Sequence, residues 1–171
     1  MKDRLSSMLS SRFLVVRQDP TSTVSRTWLL KLWMFVFNQL DAREKKFFTG
    51  NEVVLNCVFV NEHQMKKLNG SYRGKHRATD ILTFPAPHGG GDMVFCLSQI
   101  KKQARGYGHS WRLELAYLFI HGILHFLGYE HEGVAREHRD RMFSKQNHIM
   151  EKWLALKGGN KPTISSFHWE P

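Results

Sequence analysis

The stretch HGILHFLGYEH, residues 121–131, decides how this sequence is read. It closes the run SWRLELAYLFIHGILHFLG, residues 110–128, which reads as one long helix. Gly128 stops that helix, because glycine takes the left-handed conformation that turns the chain back. His121 and His125 are four residues apart, so the helix projects both from one face. His131 returns three residues after the glycine. Two imidazoles on one helical face and a third from the following turn can grip one metal ion. Three neutral rings leave a further position for water, the arrangement of a catalytic rather than a structural zinc site.

Working outward, short apolar runs alternate with helical patterns. Strands are expected at RFLVVRQ (12–18), VVLNCVFV (53–60), ILTFP (81–85) and DMVFCL (92–97). Pro85 marks the third of these as an edge strand. A largely buried helix should run from after Pro20 to about Leu40. Asn61 can cap a helix over 62–72, with Met65, Leu68 and Tyr72 on one face. Ser98 can cap another over 99–107, and a last helix should cover about Ala135 to Leu156. DAREKKFFTGNE (41–52) and PHGGG (87–91) read as connections, and RGKHRATD (73–80) as a basic irregular segment. This is an α and β mixture around one small sheet. One domain is expected over residues 1–157, with 1–11 as an N-terminal extension and 158–171 as a flexible tail.

A chain of 171 residues, 42% of them apolar, suits one domain with one core. Lys and Arg number 25 against 15 Asp and Glu, a formal charge of +10. Such a surface favours an anionic partner, nucleic acid first and anionic membrane second. The most apolar segment, TWLLKLWMFVFNQL, is interrupted by Lys31 and falls short of the roughly 18–20 residues of a spanning helix. Cys57 and Cys96 lie in apolar runs and read as buried free thiols. The opening MKDRLSSMLSSR is basic and serine-rich, similar to a short targeting peptide. A cytoplasmic location is expected, with mitochondrion or plastid as the alternative.

The histidine spacing resembles the metzincin signature H-E-x-x-H-x-x-G-x-x-H at every marked position but one. Gly122 stands where a zinc peptidase carries its glutamate base. That argues against proteolysis and leaves the metal site intact.

A second motif, LNGSYRGKHRATDILTFP (68–85), precedes GDMVFC (91–96) and the histidine stretch. Together they resemble the YbeY family of metal-dependent endoribonucleases. The match includes Leu68, Asn69, Tyr72, Arg73, Lys75, Thr79, Asp80, Leu82, Phe84, Pro85, Gly91 and Asp92. It continues through His121, Gly122, Leu124, His125, Gly128, Tyr129 and His131. His76, Ala78, Thr83 and Glu130 depart from the family pattern, and His76 adds a fourth candidate ligand.

The resemblance implies an α+β fold, a small mixed four-stranded sheet packed by helices around a metzincin-like three-histidine site. It implies a single-strand-specific, zinc-dependent endoribonuclease. Such enzymes act in maturation of the 16S-type ribosomal RNA 3′ end and in ribosome quality control. One Zn2+ per chain would sit on His121, His125 and His131. Arg73 would be a further catalytic residue, since its planar fork matches phosphate oxygens. Asp80 is expected to bond loop amides, and Tyr129 and Glu130 to shape the ligand turn. Ribosomal RNA and ribosomal subunits are the implied partners, with no membrane. Lys66, Lys67, Lys75, Arg77, Lys101, Lys102, Arg105, Arg136, Arg139 and Arg141 collectively support an RNA backbone partner. Two other classes stay open: a ribosome-associated RNA-binding protein with a structural metal, and a metallohydrolase of another substrate.

Overall fold

The fold is seen in a computed structural model that describes residues 2–50 and 52–156, with side chains from Leu5 onward. The tail expected at 158–171 lies outside the described residues. In chain order the elements are α1 (Lys2–Ser11), β1 (Phe13–Arg17), α2 (Arg26–Gln39), α3 (Ala42–Phe47), β2 (Val54–Val60) and α4 (Glu62–Arg73). They continue with β3 (Ile81–Pro85), β4 (Gly90–Cys96), α5 (Leu97–Gly106), α6 (Trp111–Phe126) and α7 (Arg136–Ala155).

The sheet is four-stranded and mixed, in the order β1-β2-β4-β3. β1, β2 and β4 run parallel, and β3 pairs antiparallel with β4. Pro85 therefore sits on an edge strand, where its missing N–H costs no ladder bond. The strands carry apolar residues on both faces. One face packs Phe13, Leu55, Cys57, Phe59, Met93 and Phe95 against the helical layer. The other places Val60, Leu82, Val94 and Cys96 against Met65 of α4.

α6 is buried without interruption from Glu114 to Leu124. A helix that is apolar on all sides belongs in the interior, between the sheet and the other helices. Ser110 starts it by accepting the Leu113 amide at 3.3 Å. α2 buries Leu29, Leu32, Trp33, Val36 and Phe37, the stripe its sequence offers. Cys57 and Cys96 are buried free thiols. No described helix is long and apolar enough to cross a membrane.

Several local expectations are corrected. The segment after Asp41 contains α3, not a bare connection. Asp41 accepts the Glu44 amide at 2.8 Å, and the Glu44 carboxylate accepts the Asp41 amide at 2.9 Å. This is a reciprocal cap, written in the sequence as D-A-R-E. The opening residues form α1, and Leu9 enters the core at 3% exposure. Ser98 lies inside α5, whose N-cap is Cys96. Tyr72 is 67% exposed and packs edge-on against Phe84, with ring centres 4.8 Å apart.

Gly90 and Gly91 belong to β4 instead of the loop before it. Their φ values are +70° and +134°. A Cβ on Gly91 would lie 2.2 Å from the Phe84 carbonyl oxygen, and one on Gly90 would lie 2.3 Å from that of Val54. Only glycine lets the strand slot between β2 and β3 here. Gly91→Ala should therefore lower stability by about 1–3 kcal/mol, because both the backbone and a neighbouring carbonyl must move. A urea midpoint unchanged from wild type would contradict this.

Candidate metal centre

The site starts with the end of α6. The Tyr129 amide donates to the Leu124 carbonyl at 3.0 Å, and the Gly128 amide to the His125 carbonyl at 3.0 Å. Gly128 has φ +80°. These two bonds close the helix in a Schellman turn. The turn carries His131 back towards His121 and His125. One ligand atom from each of the three rings lies within 4.8 Å of the others.

The rings face one another as ligands should. His121 Nε2 and His125 Nε2 are 3.0 Å apart. Two nitrogens on one tetrahedral zinc would be about 3.3 Å apart, given bonds of about 2.0–2.1 Å. The spacing fits. His121 Nδ1 lies 3.0 Å from Gln146 Oε1 on α7. Gln146 Nε2 in turn donates to the Tyr117 carbonyl at 3.3 Å. Glu130 Oε2 lies 3.5 Å from His125 Nδ1, an ion-pair contact longer than a hydrogen bond. The His131 ring rests against Phe143, with ring centres 5.5 Å apart.

Burial makes all three rings neutral bases. It pushes His121, 2% exposed, down to about 3. Burial, and in His131 then the neighbouring His125, also lowers the other two. A deprotonated imidazole is the form that binds a metal.

The ligand turn is tied down from behind. Tyr129 donates from its hydroxyl to Glu44 Oε1 at 2.9 Å. Lys145 pairs with the same carboxylate and reaches the Tyr129 hydroxyl at 3.2 Å. Glu44 thus caps α3 and anchors the turn at once.

A cavity of about 380 Å³ opens over the histidines, lined also by Tyr72, Arg73, Thr79, Asp80, Glu130 and Glu132. Arg73 stands at its edge and pairs with Glu132. Asp80 Oδ1 accepts the Ile81 amide at 2.8 Å and the Thr79 hydroxyl at 2.9 Å, which fixes the loop as expected. His76 does not join the cluster. Its ring lies against Gly70, where a Cβ would meet Nδ1 at 2.8 Å. Gly122 faces the sheet: a Cβ there would lie 2.6 Å from Met93 Sδ and 3.1 Å from Ile81 Cδ1. Any side chain at that position requires Met93 and Ile81 to shift. Sequence reasoning missed Gln146, Glu132 and Phe143. No local signal marks them, because α7 and the turn meet the site only in three dimensions.

Comparison with known proteins agrees with this geometry. The family described as Endoribonuclease YbeY matches residues 18–154. An Endoribonuclease YbeY of Staphylococcus carnosus is 31% identical over 147 residues, covering 79% of this chain and 92% of that protein. One from Caldanaerobacter subterraneus is 37% identical over 120 residues, covering 60% of this chain and 75% of that protein. A solution structure of a Thermotoga maritima protein aligns with TM-score 0.52 and 28% identity, covering 88% of this chain and 98% of that one.

Two outcomes are expected. Gln146→Leu should weaken metal affinity by about 10–100-fold, the usual effect of losing a partner behind a ligand. Competition with a chelator measures it, and unchanged affinity would leave Gln146 as packing alone. The metal-free protein should also respond to acid. Between about pH 6.5 and 3 the unfolded chain binds a proton that folded His121 refuses, so stability is full above that window and falls as pH drops through it. Glu114, raised to about 7 by burial and then by Asp80, acts with the opposite sign as pH falls from about 7 to 4.5. The histidine part is therefore read as the difference in urea midpoints between wild type and His121→Asn. Parallel pH profiles for the two proteins would count against it.

Proposed function

The chain belongs to the YbeY endoribonuclease family, and we propose that it is a zinc-dependent endoribonuclease. Its substrate is single-stranded ribosomal RNA, cut in maturation of the 16S-type 3′ end and in ribosome quality control. The observation that carries this reading is the set of three histidine ligand atoms within 4.8 Å, under an open cavity with Arg73 at its edge. Three ligands and an open approach favour chemistry over a purely structural metal.

Nitrogen ligands of this kind suit zinc. A zinc ion held by His121, His125 and His131 would supply a Lewis acid for a phosphoryl oxygen and activate water beside it. The remaining work falls to the chain. Arg73 offers a bidentate fork for the scissile phosphate and offsets the charge that builds on it. To do so it exchanges its Glu132 partner for the phosphate. The Asp80 loop holds the cavity wall in place. Gly122 stands at the position where zincin peptidases carry their glutamate base, which argues against peptide hydrolysis by that route. The formal charge of +10 supplies attraction to the RNA backbone. Ribosomes as the working partner place the activity in the cytoplasm, or in an organelle with ribosomes of its own.

The direct test is to incubate zinc-loaded protein with single-stranded ribosomal RNA and with peptides. RNA should be cut, His125→Ala should abolish the cut, and product ends map its position. Metal-dependent peptide cleavage that His125→Ala abolishes would overturn the RNA assignment. Arg73→Ala should keep fold and metal content yet lower cleavage by about 10²-fold or more, the scale of one lost transition-state donor. Arg73→Lys should restore part of it, because an ammonium keeps the charge and loses the fork. Wild-type cleavage by a folded, zinc-loaded Arg73→Ala protein would remove Arg73 from the chemistry.

A further inference from the structure

A second cleft lies on the far side of the Asp80 loop from the histidines. Its volume is about 630 Å³, and it opens between α4, the loop of residues 77–80 and α5. Lys66, Arg77 and Lys102 line it together with His63 and Gln103. All three cations are exposed. Among the described residues, none of their side chains has an ion-pair or hydrogen-bond partner.

Four of the other basic residues are differently placed. Lys101 lies over the Trp111 ring at 5.8 Å, and Arg141 over Tyr129 at 5.3 Å. Arg136 and Arg139 lie 3.3 and 3.9 Å from Asp140. The cleft thus collects cations whose charge is not spent within the chain. Glu62 and Asp80 are its only acidic lining residues. The Asp80 carboxylate is turned to the Ile81 amide and the Thr79 hydroxyl. Gln103 adds an amide oxygen that is buried without a hydrogen-bond partner.

Position gives the cleft its meaning. Thr79 and Asp80 line both this cleft and the histidine cavity, so the two share one wall. That wall is pinned. Asn69 Nδ2 donates to the Arg77 carbonyl at 2.8 Å, and the Cys96 amide to the Asp80 carbonyl at 2.8 Å. A polyanion crossing Thr79 would meet cations at a fixed displacement from the histidines.

We propose that Lys66, Arg77 and Lys102 form a second anion subsite, which takes a backbone phosphate of the RNA strand flanking the phosphate that is cut. This rests on the RNA reading of the histidine site. The subsite binds and positions the strand and takes no part in the chemistry.

The test compares wild type with the triple variant Lys66→Ala, Arg77→Ala, Lys102→Ala, and with a control at two exposed lysines on other helices, Lys31→Ala, Lys152→Ala. Binding of a single-stranded RNA oligonucleotide is followed across salt concentrations. The triple variant should bind about tenfold more weakly or worse. Its log–log salt slope should be shallower by about 2, since each cation removed lessens counterion release on a single strand. The control should stay close to wild type. In cleavage assays the triple variant should raise KM for long RNA and leave kcat unchanged. An RNA too short to reach past Thr79 should be cut alike by wild type and triple variant.

Equal losses in the triple variant and the control would reduce the cleft to diffuse surface charge and overturn the subsite. So would inorganic phosphate binding that the triple variant abolishes while RNA affinity stays unchanged. If wild type cuts RNA in a His125-dependent way and the triple variant matches it in affinity, slope and KM, the subsite falls and the endoribonuclease reading stands. If wild type neither binds nor cuts RNA, both fall.

Discussion

The contact between His121 and Gln146 is the constraint on which the site depends. The Gln146 amide donates to the Tyr117 carbonyl, so its nitrogen points there and its oxygen is left for His121 Nδ1. That oxygen only accepts, so the imidazole proton must sit on Nδ1. The lone pair is then on Nε2, 3.0 Å from His125 Nε2. One amide on α7 therefore chooses the tautomer of a ligand on α6. Burial removes the competing state, because a charged ring in the core would lose its hydration. The helix pair α6–α7 is as much part of the metal site as the histidines are.

Packing around α6 explains what the site lacks as well as what it holds. Gly122 brings the helix against Met93 and Ile81, closer than any side chain would allow. Ile81 opens β3, and Asp80 precedes it in the loop that walls the cavity. The close approach thus sets the distance between the histidines and the loop. A larger residue at 122 would make the Met93 and Ile81 side chains shift.

How much of this was legible depends on whether the signal was local. The histidine spacing, the turn at Gly128 and the long helical run before them are local, and all three appear in the fold. The capped start at Asn61 and the edge strand ending at Pro85 are local too. The capping box at Asp41 was equally local, but a segment as short as α3 carries too few periodic residues to stand out. Tyr72 kept helical spacing with Met65 yet is 67% exposed, packing edge-on against Phe84 on the edge strand. His76 follows a helix that ends in left-handed Gly74, and this turn sends its ring onto Gly70. Gln146 and Glu132 were illegible because their meaning comes from elements distant in sequence.

Charge balance links the two halves of the proposed surface. Asp80, Glu130 and Glu132 line the histidine cavity against the single guanidinium of Arg73, with three neutral imidazoles between them. The formal sum is two negative charges, an odd floor for a site that must admit a polyanion. A divalent cation on the imidazoles cancels it, and the same carboxylates then help hold that cation. Glu130 stands beside His125, and Glu132 pairs with Arg73 at the cavity edge. Attraction for the strand as a whole has to come from outside the cavity, since none of its net charge remains for that purpose. Lys66, Arg77 and Lys102, across a wall one loop thick, offer positive charge not paired within the chain. Local acidity and global basicity are then two parts of one proposed arrangement: the carboxylates would help retain a metal, and the exposed cations would retain the RNA.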